Sequence, residues 1–281
     1  MKEQSKLLII IVLYKKQLLE SSTYQSLKKA CYDLKEPVNV LVYDNSPAAC
    51  PHPIENEQNI LITHLHDQLN SGLCKAYNTG IDTAKEKDLD WLLLLDQDTF
   101  IPSDYLNVFY NTEPIIAAND VVCAVPKVLA PGGSQIISPI KIYFGAIFRT
   151  YKNVKAGVLA EKITGINSGT FLSVKYIDEL GGFDSRFSLD MLDHWYFSEI
   201  AAANRRVFLL DATIYHNLSV NSFENEVSLD RYARILDSEK IFSKKNVFSY
   251  LVFKLRLLKR LIEQRSYKEK EFFYMTLKNL I

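Results

Sequence analysis

The chain is short of the features that would assign it quickly. Its 33 basic and 33 acidic side chains leave no net charge, so no excess of one sign marks the whole molecule for nucleic acid. The balance is uneven, however. Residues 227–281 hold 13 Lys/Arg against 6 Asp/Glu, and the remainder carries the matching acidic surplus. An acidic body argues against a nucleic-acid-binding core, while a basic tail suits an anionic membrane surface or a partner. Cysteine is scarce: Cys31, Cys50, Cys74 and Cys123 form no C-x-x-C and have no His at zinc spacing. That removes a disulfide framework and a structural zinc site, and a reduced, cytoplasmic setting is expected. No apolar run approaches the ~18 residues needed to span a bilayer. The run Leu7 to Leu13 is too short for this and lacks a small-residue cleavage site, so it is expected to be a buried strand. There is no internal repeat and no low-complexity segment.

What is present is ordinary globular material. With 281 residues, 48% apolar and 23% charged, the chain suffices for one large α/β domain with room for a small appendage. "LLIIIVL" (7–13), "VNVLVY" (38–43), "ILITHL" (60–65), "WLLLL" (91–95) and "VVCAV" (121–125) are near-continuous apolar runs of strand length. Strands buried on both faces of a parallel sheet have this pattern. Segments such as "QLLESSTYQSLKKACYDLK" and "SGLCKAYNTGIDTAKEK" lie between them and suit amphipathic helices. The alternation predicts βαβ units, a sheet sandwiched by helices, and a ligand site beyond the carboxyl ends of the strands. Residues 126–162 lose the alternation and predict a loop or small hairpin, and "SLDMLDHWYFSEIAAANRR" predicts a helix. The strand "VFLLDA" follows, and from about residue 226 the pattern is helical and basic.

Polar residues gather at the strand ends. Asp44-Asn45-Ser46-Pro47 follows the second run, Asn70-Ser71-Gly72 follows the third, and Asp96 and Asp98 end the fourth. Read alone, "DQD" is a solvated turn as readily as a cation site, and Asp44 or Asn45 can form an Asx-turn before Pro47. Two carboxylates one residue apart at a strand end also suit a hard divalent cation.

The motifs "VLVYDNS", "NSGLCKAYNTGI", "LLLLDQDT", "GINSGTFLSVKYIDELGGFDSRFSLDMLDHW" and "IYHN" occur in this order over roughly residues 5–220. Together they resemble the family-2 glycosyltransferases. The "DQD" form, with the D-x-x-D after "GGFD", is similar to the rhamnosyltransferase branch. The resemblance implies a GT-A fold: an α/β domain over residues 1–225 with a mainly parallel central sheet flanked by helices. Its nucleotide-binding half would be 1–125 and its acceptor half 126–225, followed by a helical extension over 226–281. It implies an inverting hexosyl transfer from dTDP-L-rhamnose or a UDP-sugar to a glycan or lipid-linked glycan, with no nucleic-acid partner. A catalytically inactive nucleotide-sugar-binding protein is the rival of another class.

The same resemblance implies roles. Asp98 would coordinate Mg²⁺ or Mn²⁺, with His216 completing the metal or diphosphate site, and Asp96 would contact the ribose or help position the metal. Asp44 would accept from the nucleobase. Gly72 would admit a close backbone approach while Asn70 or Ser71 caps the following helix, and Asn78 would face the nucleotide unless it is a helix-surface amide. A hydroxyl acceptor needs a base within hydrogen-bond reach. Asp193 would be that base, with Asp190 as the alternative, or as a helix cap, three residues away on one helix face. Acids favoured by a helix N-terminus would look the same. The family often has an acid two residues after the base, where this chain has Trp195, expected in the core. His64 and His66 are expected on one strand face, and His52 and His194 carry no assigned role. The tail segment "YLVFKLRLLKRLIEQR" is expected either to pack as a cap or to make peripheral membrane contact through its basic helices.

Overall fold

The computed structural model describes residues 6–49, 55–133, 135–144, 146–151, 155–216 and 223–281. The apolar runs become strands Leu7–Leu13 (β1), Val38–Asp44 (β2), Ile60–His66 (β3) and Trp91–Asp96 (β4). β1 lies between β2 and β4, parallel to both, and β3 pairs in parallel with β2. Successive side chains leave a strand on opposite faces, which explains why these runs are apolar throughout. Ile9, Ile11, Leu93 and Leu95 enter one core, covered by helices Ser22–Cys31 (α1) and Tyr105–Ala118 (α3). Leu8, Ile10, Leu92 and Leu94 enter the other, against helix Gly72–Glu86 (α2). Every residue of β1 is buried.

The second half widens this sheet. Val121–Leu129 (β5) is joined to β4 through Thr170–Ser173 (β11), which is antiparallel to both. Arg206–Tyr215 (β12) runs parallel to β5, with Gly157–Val158 (β9) antiparallel at its edge. Both β5 and β12 are longer than the sequence suggests. Their ladder runs Val125 to Leu209, then resumes at Lys127 with Thr213. The extra residues of β12 lie opposite Pro126, which has no N–H to give. Ile136–Ser138 (β6) folds back on β5. Ile140–Tyr143 (β7), Ile147–Thr150 (β8) and Ile163–Thr164 (β10) make a small antiparallel sheet, the predicted hairpin with one strand more. Val174–Glu179 (α4) and Leu192–Ala202 (α5) pack on the α2 face.

Helices Phe223–Glu226 (α6), Leu229–Ser243 (α7), Val247–Gln264 (α8) and Glu271–Leu280 (α9) end the chain. They have a small core of their own around Tyr232, Leu236, Phe253, Leu257 and Phe272. Ser228 and Asn246 cap α7 and α8 by accepting from the Arg231 and Ser249 backbone N–H groups. Glu239 of α7 takes both terminal nitrogens of Arg260 on α8 at 2.8 Å each. Among the described residues no helix is long and apolar enough to cross a membrane. Cys31, Cys74 and Cys123 are buried free thiols, and Cys50 lies outside the described residues.

Candidate active site

The sheet register assembles the rim. Leu13 at the end of β1 is level with Asp44 of β2, and Val12 with Asp96 of β4, so the two carboxylates flank the same strand end. The Asp96–Asp98 turn beyond β4 is fastened from three segments. Thr23 Oγ1 donates to the Asp96 carbonyl, and Ser21 Oγ donates to that of Gln97 at 2.8 Å, both from the start of α1. The Asp96 N–H donates to Ser168 Oγ at 3.0 Å, and Tyr14 N–H to Gln97 Oε1 at 2.9 Å. Gln97 lines the cleft and is tied to the end of β1 through its amide oxygen.

His216, just past β12, is 8% exposed and completes the rim. Its Nε2 stands 3.8 Å from Asp96 and its Nδ1 3.6 Å from Asp98. Nδ1 also shares a 3.1 Å hydrogen bond with the buried Thr99 hydroxyl, which in turn bonds Ser168. The Asp96 carboxyl is raised to about 6: burial pushes it up, His216 pulls it down, and the carboxylates of Asp98 and Asp193 add to the rise. Crowded carboxylates, one of them half-buried, gain from a cation between them. Two carboxylates and an imidazole are a donor set for Mg²⁺ or Mn²⁺. Asp96, Asp98 and His216 would hold the ion. No three His, Cys, Asp or Glu side chains among the described residues stand in a coordinating array, so the fit is one of donor chemistry and proximity.

These groups open on a cleft of about 980 Å³. Asn70 and Gly72 line it, and so do Asp190 and Asp193. Asn70 has a left-handed backbone (φ 49°), and its N–H donates to the Asp67 carbonyl at 3.1 Å. Neither Asn70 nor Ser71 gives α2 a side-chain cap; the Asp67 carboxylate instead accepts from the Leu69 and Ser71 N–H groups. Its carboxyl lies below the usual range: burial would raise it, but donors from Ser71, Leu69 and Tyr43 outweigh this. Gly72 has φ +89°, and a Cβ there would lie 2.4 Å from the Ser188 carbonyl oxygen. The close approach it permits is to the chain beside Asp190, and Cys74 N–H donates to that same carbonyl at 3.1 Å.

Asp44 and Asn78 both have partners within the protein. Asp44 is buried and accepts from the Ser46 N–H at 2.9 Å, with His64 at 3.8 Å from its other oxygen, while its neighbour Asn45 lines the cleft. Asn78 does not reach the cleft. Its amide accepts from Phe183 N–H at 2.7 Å and donates to Phe183 C=O at 3.0 Å, fastening α2 to the Gly182–Phe183 turn.

The second carboxylate pair also departs from expectation. Asp193 sits in the first turn of α5, but Asp190 precedes the helix because Met191 takes a left-handed conformation (φ 67°). The two acids are therefore not on one helix face, and Asp190 is not the cap. They still meet in the cleft and feel each other. Burial raises the Asp190 carboxyl, Arg231 of α7 lowers it, and Asp193 and Glu239 raise it. Arg231 stands 3.5 Å from it. Trp195 is in the core beside Phe183, as expected.

Three groups were not singled out from sequence. Asn45 and Asn167 are buried, line the cleft, and have Oδ1 atoms without a partner. Arg231 and Arg234, one turn apart on α7, bring guanidinium groups into the cleft wall. Asn167 lies in the quoted "GINSG" stretch, whereas nothing local in the sequence says that α7 folds back over the cleft.

Residues 8–171 match the family model described as Glycosyl transferase family 2. No curated protein matches the sequence. Similar solved structures include S. aureus TarS 1-349 in complex with UDP-GlcNAc, at 15% identity and a TM-score of 0.57, covering 98% of this chain and 80% of that one. GalNAc-T7 with UDP, GalNAc and Mn²⁺ is 11% identical with a TM-score of 0.57, covering 99% of this chain and 55% of that one. A longer S. aureus TarS structure is 15% identical with a TM-score of 0.53, covering 97% and 55%. This chain thus spans little more than half the length of the last two, and at such identities the likeness is one of fold. The family model covers more than half of the sequence, and the mainly parallel sheet flanked by helices agrees with it: the chain belongs to glycosyl transferase family 2 and has the GT-A fold.

Proposed function

We propose that the chain transfers a sugar from a nucleoside diphosphate to an acceptor hydroxyl, with inversion at the anomeric carbon. The donor is dTDP-L-rhamnose, and the acceptor is a growing cell-surface glycan, free or lipid-linked. The observation that carries this reading is the meeting of Asp96, Asp98, His216 and Asp193 in one cleft. A bound Mg²⁺ or Mn²⁺ would offset the negative charge of the diphosphate, as hard cations do. Asp193 receives the proton of the acceptor hydroxyl, and Asp190, held by Arg231, orients the acceptor. The open oxygens of Asn45 and Asn167 take hydroxyl or N–H donors of the donor substrate. Residues 1–125 supply the donor side and 126–225 the acceptor side with its base, and the extension over 226–281 supplies the α7 wall of the cleft. The setting is cytoplasmic, in keeping with the three unpaired buried thiols.

A second reading, a UDP-hexose donor, draws support from two observations. The similar structures carry UDP or UDP-GlcNAc, and Gln97, which carries the resemblance to rhamnosyltransferases, spends its amide oxygen on Tyr14. A donor screen for transfer and slow hydrolysis, run with Mg²⁺ and with Mn²⁺, separates the readings. Turnover of dTDP-L-rhamnose above UDP-hexoses is expected, and the reverse preference establishes the second reading. Donor binding with neither transfer nor hydrolysis refutes both and leaves a binding protein.

A further inference from the structure

Helix α8 is apolar on two sides. Its inner side, with Phe253, Leu257 and Leu261, packs in the core. Its outer side carries Val247, Phe248, Leu251, Leu255, Leu258 and Ile262, spaced by steps that stack on one face. These six side chains are between 42% and 87% exposed. The stripe runs about 22 Å along the helix. A helix on a globular surface normally turns charged residues outward, but here most are drawn away. Lys254 bonds the Asn279 and Leu280 carbonyls, Arg256 lies on the Phe148 ring, and Arg260 pairs with Glu239. Phe144, 80% exposed at the turn between β7 and β8, stands edge-on to Phe248 at 6.0 Å and widens the patch. A continuous exposed apolar patch of this size marks a docking surface.

The surrounding charge selects the occupant. Exposed Lys244 precedes the helix, Lys259 borders the stripe with its side chain 81% exposed and 3.6 Å from the exposed Glu263, and exposed Arg265 follows the last turn. These belong to a segment with seven more basic than acidic residues. The 248–251–255–258–262 spacing would also fit a helix pair with a second copy. The charged positions beside such a seam, Lys254 and Lys259, however, offer no acidic group to a second copy, and Lys254 is already bound to the Asn279 and Leu280 carbonyls. A helix pair would also leave Phe144 unaccounted for. We infer that the outer face of α8, together with Phe144, seats the protein on an anionic lipid surface, the helix lying in the headgroup layer. A basic-edged helix, apolar on one face and too polar to span, is built for that position. The placement has a consequence for the site. Glu239, which pairs with α8, lines the cleft alongside Arg231 and Arg234, so the α7 wall stands one helix from the lipid surface.

Flotation of the full chain with vesicles of mixed phosphatidylglycerol and phosphatidylcholine, against phosphatidylcholine alone, tests this without reference to transfer chemistry. Binding to the mixed vesicles is expected, about tenfold or more above the neutral ones, and weaker at high salt. Leu251→Glu with Leu255→Glu is expected to weaken it by about a hundredfold or more without lowering the unfolding temperature. Lys259→Gln should weaken it about fivefold. The inference is overturned if the chain ignores the mixed vesicles at low salt, or if the double variant binds them like the parent. It is equally overturned if sedimentation without lipid finds a dimer that the double variant dissolves, which would make a second copy the occupant.

Discussion

The two carboxylate pairs of the cleft are held in opposite ways. Asp96 and Asp98 end a buried strand, and their turn is tied by hydrogen bonds to α1, to β1 and to Ser168. Asp190 and Asp193 flank a left-handed Met191, and Asp190 is held by one ion pair to Arg231 from a helix forty residues on. The first pair is therefore fixed by the sheet itself, ahead of any ligand. The second depends on side chains packed between separate elements. The division matches the proposed roles, a constant donor diphosphate at the first pair and a variable acceptor at the second.

Substitutions can break or sharpen the comparison. The largest effect is expected at Asp98→Ala and Asp193→Ala, each lowering transfer by about a thousandfold with unchanged circular dichroism. Retained activity in either removes that residue's assigned role. Gly72→Ala sets a Cβ against the Ser188 carbonyl at a positive φ, and a loss of about 2–3 kcal/mol is expected in denaturant unfolding. Thr99→Val strips a buried hydroxyl from His216 and Ser168, for about 1–3 kcal/mol. An effect near zero would show that the rim is not held as described.

Asp96→Asn tests the rim electrostatically in metal-free protein. Because the folded carboxyl is raised, its protonated form favours folding at acid pH, and that contribution is lost as pH rises toward and through about 6. The variant avoids the loss, so its stability gain over the parent should be near nil at pH 4. The gain should grow to about 1–2 kcal/mol above pH 7, the cleft's solvent access trimming the full value. The smallest effect is expected at Arg231→Gln, about three- to tenfold in transfer at subsaturating acceptor and little in donor binding, since it acts through Asp190.

The first pair was the more legible one, for the same physical reason that it is the firmer. A strand buried on both faces must be apolar throughout, so "WLLLL" announced β4, and what followed it had to be the rim. Local chemistry also marked the Asn70–Gly72 turn. Asp190 was misplaced because a single left-handed Met leaves no trace in an apolar–acidic pattern suited to a helix. The bonds of Asn78 to Phe183 were not legible because that backbone lies more than a hundred residues away. Asp67 and the α7 arginines were missed on the same ground: their roles depend on which loop or helix folds against which, and neither periodicity nor spacing encodes it.

The measurement that tests the account most directly is donor binding by calorimetry, with and without Mn²⁺, in the parent, Asp98→Asn and Asp193→Asn proteins, paired with turnover. The account predicts that Mn²⁺ tightens donor binding by about a hundredfold in the parent and that Asp98→Asn abolishes this gain. It predicts that Asp193→Asn binds within about twofold of the parent yet scarcely turns over. Mn²⁺-dependent binding that survives Asp98→Asn, or full turnover by Asp193→Asn, would contradict it.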